Sequence, residues 1–269
     1  MKTPAPLPHV IPVLLYHSIS DRPPVDQVRF TVSPARFEEH MRAIVGSGRV
    51  PLTISELAAA LRGERQLPAL AVAVTFDDGF ADTPHAVQTL AEQGITSTVF
   101  VATGRLGGPR PALPAGALRA LLAIKGVELG AHTVSHPHLD ELDIGEAWRE
   151  IFDSKRVLED HAGAPVRSFA YPHGSYNELT RRAVVATGFT AAAAVKNAYS
   201  HPGDDPFAIA RWTVTTGTTA RQVERFLEGR GAPLAWTKER HRTRAYRGAR
   251  QLRRRLRDFC STPGFDGAA

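Results

Sequence analysis

Short apolar runs punctuate the chain near residues 11–15, 70–76, 97–102, 127–131, 167–171, 189–195 and 208–214, and each reads as a buried strand. Between them the apolar positions recur at helical spacing, as in Phe37, Met41, Ile44 and Val45, and again in Leu57 and Leu61. A longer helix is predicted from Ile144 to His161 on Trp148, Ile151, Phe152, Val157 and Leu158; another runs from Glu178 to about Thr187, where Gly188 ends it. Strands and helices alternating this often predict parallel pairing through right-handed crossovers. Runs such as Leu70–Val74 are apolar throughout, as strands covered on both faces must be. Periodicity leaves two α/β architectures open, a closed barrel and an open doubly wound sheet. With 269 residues, 43% of them hydrophobic, the chain can bury one good-sized core as a single domain.

The chemistry sits where strands end. Thr75-Phe76-Asp77-Asp78-Gly79 closes one apolar run and puts two adjacent carboxylates at the mouth of a buried strand. Gly79 supplies the backbone freedom for the two to converge. Two acids this close are comfortable as anions only if a cation separates their roles. Candidate partners follow the run ending at Ala131: His132 and His136, four residues apart, can face one ion if that segment turns helically. One carboxylate and two imidazoles make three protein ligands with a position left for water, the count of a hydrolytic zinc site. Neither motif is specific alone, because spaced histidines are common on surfaces and Asp-Asp-Gly also makes ordinary turns. Together, each at a strand end, they are far more so.

In these motifs the chain resembles the polysaccharide deacetylases, the carbohydrate esterase family 4 or NodB-homology group. Thr75–Gly79 is similar to the family's first motif, His132-Thr-Val-Ser-His136 to its second, and Phe169-Ala-Tyr-Pro-His-Gly174 to its third. The opening Val13-Leu-Leu-Tyr-His-Ser-Ile19 is similar to the exopolysaccharide-deacetylase branch. The resemblance runs from about residue 11 to about residue 230 and implies an irregular (β/α)7-type barrel. It divides the chain into a proline-rich segment (1–10), a NodB-homology domain (11–230) and a basic helical C-terminal extension (231–269). It also implies a divalent metal, zinc by preference, held by Asp78, His132 and His136, with Asp77 as general base. The oxyanion donor would be the backbone N–H of His173.

Two departures from the family pattern mark this sequence. The arginine of the third motif is replaced by Ala170, and Arg211, in Ile209-Ala-Arg-Trp-Thr-Val214, is the best substitute partner for Asp77 because its planar fork suits a carboxylate. A late Leu-x-His motif is also missing; the resemblance to the exopolysaccharide-deacetylase branch, in which that histidine lies near the N-terminus, implies the general acid at His17, after the first strand, with a plain structural histidine as the alternative. His138 is read as a loop residue. Trp212 and Tyr171 could stack on a sugar or simply pack in the core. The implied substrate is an N-acetylated amino-sugar glycan; a deformylase or other C–N hydrolase, and a catalytically silent glycan-binding barrel, remain as alternatives.

Charge and cysteine content add context. The net charge of +6 comes from the end of the chain, where residues 238–258 hold ten Lys/Arg against Glu239 and Asp258. That excess outweighs the total, so the remainder is slightly acidic. As a helix the segment would place Ala245, Ala249, Leu252, Leu256 and Phe259 on one stripe, a pattern suited to an anionic membrane surface, a lipid-linked glycan or a capping helix. No nucleic-acid motif accompanies the charge. Residues 1–8 lack the apolar stretch of a secretory signal, no run is long enough to span a bilayer, and Cys260 is the only cysteine. The expectation is a cytoplasmic protein, with the inner face of the membrane as a surface for the tail.

Overall fold

Each of the expected strands forms, within about two residues of its predicted ends. The computed structural model describes residues 9–23, 25–108, 111–236 and 248. In chain order the elements are β1 (Val13–Tyr16), β2 (Ser18–Ile19), β3 (Thr31–Val32), α1 (Pro34–Gly46), β4 (Val50–Pro51), α2 (Ile54–Leu61), β5 (Ala71–Phe76), α3 (Thr83–Glu92) and β6 (Ser97–Val101). There follow α4 (Ala117–Ala123), β7 (Val127–Ala131), α5 (Ile144–Ala162), β8 (Ser168–Ala170), α6 (Glu178–Ala186), β9 (Ala191–Val195), β10 (Ile209–Thr213) and α7 (Ala220–Leu227). The basic segment 238–258 lies outside the described residues apart from Gly248, as do residues 1–8. No helix among the described residues is long and apolar enough to cross a membrane.

Register decides between the two architectures. β1 pairs in parallel with β10 through Leu14↔Trp212 and with β5 through Val13↔Ala73 to Tyr16↔Phe76. Those two pairings close the order β1-β10-β9-β8-β7-β6-β5 into a ring of seven parallel strands, so the open sheet is excluded. β4 adds a short strand beside the start of β5.

Strand alternation then sorts the core into two layers. Leu14, Tyr16, Val72, Val74, Phe76, Val99, Val101, Phe169, Ala192 and Ala194 pack outward with the helices in one cluster. Val13, Ala71, Ala73, Phe100, Ala170, Ala191, Ala193 and Ile209 form a second, the inside of the barrel, with Ile54, Leu57 and Ala58 of α2 closing its N-terminal end. The small alanines leave room for Phe100 inside. Gly130 makes that possible, since a Cβ there would lie 2.4 Å from the Phe100 ring. Helix ends are set locally: Thr53, Asp143, Asn177 and Thr219 each head a reciprocal capping box, and α5 stops at Gly163 in the left-handed region, φ 68°.

The same alternation carries function to the other end. His17 is two residues past inward Leu15, Asp77 two past Thr75, His132 two past Gly130, and Arg211 two past Ile209. All four therefore converge inside the C-terminal mouth, where parallel barrels build their sites.

Candidate active site

Arg211 enters the barrel fully buried and grips Asp77 with both arms of its fork. Nη1 donates to Oδ1 at 2.6 Å and Nη2 to Oδ2 at 2.9 Å, while Nη1 also reaches Thr75 Oγ1 at 3.2 Å. The guanidinium lies 5.3 Å from the centroid of the Phe100 ring, a cation–π seat that the close approach at Gly130 permits. Burial opposes ionisation of Asp77, yet the charge and hydrogen bonds of Arg211 outweigh it and hold the carboxyl below its usual range. The partner absent from the third motif is thus supplied from β10.

Asp78 faces the other way, and its backbone makes the turn. Its φ is 75°, as left-handed as the φ of 76° at Gly79, so the acid itself adopts the strained conformation that the sequence assigned to the glycine alone. Asp78 Oδ1 is buried and accepts no hydrogen bond from the described residues. It lies 3.3 Å from His136 Nε2 and 3.8 Å from His132 Nε2, and one donor atom from each of the three residues falls within 4.8 Å of the others. Ligands on a tetrahedral zinc at about 2.1 Å stand roughly 3.4 Å apart. The cluster therefore fits such an ion. His132 Nδ1 sits 2.7 Å from the Ala170 carbonyl oxygen, so it carries the proton and leaves the Nε2 lone pair toward the cluster.

The segment that brings the imidazoles together is a loop and not the helical turn through which their spacing could converge. Thr133 and His136 are left-handed, at φ 66° and 63°, and the segment is held by outside partners. Thr133 Oγ1 donates to the His132 carbonyl at 2.5 Å and accepts from the His136 amide at 3.0 Å. Glu150 of α5 accepts from the Val134 and Ser135 amides at 2.8 and 2.9 Å and from Ser135 Oγ at 2.6 Å. Left-handed non-glycine residues cost on the order of 1 kcal/mol or more each and persist where surroundings enforce them. Asp78, Thr133, His136 and His173 are all in this class and all belong to this mouth.

His173 (φ 57°) sits between Pro172 and Gly174, and Gly174 is pressed so closely on β9 that a Cβ would lie 2.6 Å from the Val195 nitrogen. The His173 ring is 4.5 Å from His136 and stacks on His138 at 3.9 Å, and burial with neighbouring imidazoles lowers its pKa to about 4. His17 follows β1 with its ring 5.0 Å from Phe30 and a buried Nδ1 that has no hydrogen-bond partner among the described residues. Its pKa is lowered by burial against the pull of Asp77 and Asp78, which places it in the field of the same acids.

The structure thus gathers Asp77, Asp78, His132, His136, His173, His17 and Arg211 at one mouth. It sets the two ambiguous aromatics apart. Trp212 points outward and stacks on Phe226 at 4.7 Å, and Tyr171 is core, its hydroxyl donating to the Phe207 carbonyl at 3.0 Å. Two residues that spacing rules did not reveal join the site. Glu150 clamps the loop between His132 and His136, and Arg105 has Nη1 2.8 Å from Asp78 Oδ1. Each acts across a distance in sequence that no local pattern spans.

The mouth of this closed parallel barrel thus holds an acid and two imidazoles that could share one ion, beside a second acid held by an arginine. Residues 64–192 match the polysaccharide deacetylase family model. The chain is 27% identical over 222 residues to "Putative polysaccharide deacetylase YxkH" of Bacillus subtilis (strain 168), covering 82% of this chain and 77% of that one. It is 31% identical over 110 residues to a chitooligosaccharide deacetylase of Sinorhizobium fredii (strain NBRC 101917 / NGR234), covering 40% of this chain and 48% of that one. In fold it is similar to the deacetylase PplD of Streptococcus pyogenes solved in complex with acetate, with TM-score 0.73, 22% identity and coverage of 82% and 99%. IcaB from Ammonifex degensii gives TM-score 0.70, 22% identity and coverage of 82% and 97%. The match over residues 64–192 and the curated relatives support a NodB-type polysaccharide deacetylase domain. That family supports removal of acetyl groups from glycans and implies a divalent metal, for which the Asp/His cluster is a possible site.

Proposed function

We propose that this protein hydrolyses N-acetyl groups on the amino sugars of a polysaccharide or glycan intermediate, using a divalent ion, zinc by the character of its donors, at Asp78, His132 and His136. The observation that carries the reading is a buried Asp78 oxygen with no hydrogen bond, turned toward two imidazole nitrogens at 3.3 and 3.8 Å, beside an acid whose two oxygens both accept from Arg211. An ion bound there would lower the pKa of water and polarise the acyl oxygen. Arg211 keeps Asp77 ionised through neutral pH, so Asp77 is ready to take the proton of the water attacking the acetamide carbon. The His173 amide, fixed between Pro172 and Gly174, donates to the oxyanion. His17 returns a proton to the departing amine nitrogen.

A panel of chito-oligosaccharides, peptidoglycan fragments and lipid- or nucleotide-linked N-acetyl sugars, assayed for free acetate with metal-replete protein, tests the activity. Acetate from any of these supports the reading. Formate from N-formyl sugars with no acetate from the panel would point instead to a deformylase.

A further inference from the structure

The turn after β6 brings a positive charge to the donor cluster. Thr103–Arg105 form a single 3₁₀ turn whose Thr103 and Gly104 amides donate to the carbonyls of Thr133 and Val134 at 3.1 and 2.9 Å. Glycine is required there, since a Cβ on Gly104 would lie 2.7 Å from the Val134 carbonyl oxygen. The turn is thereby fastened to the loop that carries both metal-binding imidazoles. From it the Arg105 guanidinium reaches Asp78 Oδ1 at 2.8 Å, the same oxygen that faces His136 and His132. The contact lacks hydrogen-bonding geometry, because Oδ1 accepts no hydrogen bond, so it is an attraction of charges alone.

The two arginines of the mouth differ in freedom. Arg211 is fully buried and holds both oxygens of Asp77, whereas the Arg105 side chain is 31% exposed and holds one oxygen of Asp78. A guanidinium stays charged at every working pH. Within a few ångströms it repels a divalent ion, and it occupies the approach to the oxygen that such an ion needs. Its exposed arm can leave for water.

We propose that Arg105 is an internal cation competing with the metal for Asp78, so that loading is an exchange of guanidinium for ion and Arg105 sets the affinity of the site. The inference rests on the metal site proposed above but concerns binding, not turnover. Protein stripped of metal is titrated with Co²⁺, followed by its d–d absorption, and with Zn²⁺ against a chromophoric chelator, for the parent chain, Arg105→Gln and Arg105→Lys. Arg105→Gln is expected to bind at least about tenfold more tightly, since its competitor is gone, while Arg105→Lys, which keeps the charge, stays near the parent. Stripped Arg105→Gln should also melt below the stripped parent, having left the buried Asp78 charge unpaired, while the loaded forms melt closer together. Equal or weaker binding by Arg105→Gln would overturn the competition and make Arg105 an orienting partner of Asp78. No binding by any of the three chains, the parent included, would remove the metal site itself, and this inference with it.

Discussion

Glu128 on β7 and His132 just past its end point into the same barrel at opposite mouths, and the polar groups around them meet different treatment. Glu128 Oε2 accepts from the Ser55 amide at 3.1 Å and from Thr98 Oγ1 at 3.0 Å, and Oε1 accepts from Ser55 Oγ. Thr98 Oγ1 in turn accepts from the Ile54 amide at 2.9 Å, so the acid and the start of the plugging helix α2 satisfy each other. At the same end Arg49 spends its donors on the carbonyls of Leu227, Ala71 and Val10. At the C-terminal mouth Asp78 Oδ1 after β5, His17 Nδ1 after β1 and Arg211 Nε on β10 are buried without hydrogen bonds among the described residues. Buried polar groups left unpaired are costly and rare. Around Glu128 and Arg49 the charge is satisfied within the fold, whereas around His132 part of it is left without hydrogen bonds.

The strongest way to break that division is to remove a charge from each side of the mouth. Asp77→Asn should lower turnover by about 10³-fold, within the range of a general base, while metal content measured by atomic emission stays at the parent level. His132→Ala should lose both metal and turnover. Substantial acetate release by Asp77→Asn would show that Arg211 holds a structural acid, and the mouth would then resemble the other end.

His17→Ala is expected to lower kcat by about 10²-fold with metal content unchanged. Its Nδ1 has no partner whose loss would disturb the fold, so the Tm should move little. Unchanged kinetics would make His17 the structural histidine that the sequence left as an alternative.

Glu150→Gln sharpens the comparison at a carboxylate that belongs to the mouth yet is satisfied like Glu128. A partner that orients a metal ligand is worth about 10- to 100-fold in affinity or activity. The amide can keep one acceptor oxygen for the two backbone N–H groups of Val134 and Ser135 but exchanges the other for a donor facing Ser135 Oγ. Zinc affinity is therefore expected to fall about tenfold, read by chelator competition. No change in affinity would mean that Thr133 and the turn at Thr103 hold the loop unaided.

What the sequence made legible follows from the reach of its signals. Strands β1 and β5 to β10 showed as apolar runs because both their faces are covered, and the site acids and imidazoles showed because each stands just past such a run. Arg211 is legible only through the resemblance, as a strand-borne substitute for the arginine that Ala170 replaces. Periodicity could not reveal closure, which depends on β1 meeting β5 across about sixty residues of chain. Nor could it reveal Arg105 or Glu150, whose partners are fixed by how the β6 turn and α5 lie against the loop after β7. The route of convergence was also hidden: the i, i+4 spacing of His132 and His136 suggested a helical turn, and left-handed Thr133 and His136 achieve the same end by another path.

The smallest effect on turnover is expected where the comparison began. Glu128→Ala leaves the Ser55 amide and the hydroxyls of Ser55 and Thr98 without their acceptor, in a part-buried place. Orphaning such groups costs about 1–3 kcal/mol, so the urea midpoint should fall at unchanged m-value, the signature of lost stability without a change in the surface exposed. Glu128→Gln, which keeps one acceptor oxygen, should recover part of the loss. Both variants should retain kcat within about twofold and full metal content, because β7 is held along its length by β6 and at its C-terminal end by β8, away from the plug. A tenfold loss of turnover in folded Glu128→Ala would mean that strain at the base of β7 is transmitted to His132, and the barrel would then have to be treated as one coupled unit and not as two ends with separate tasks.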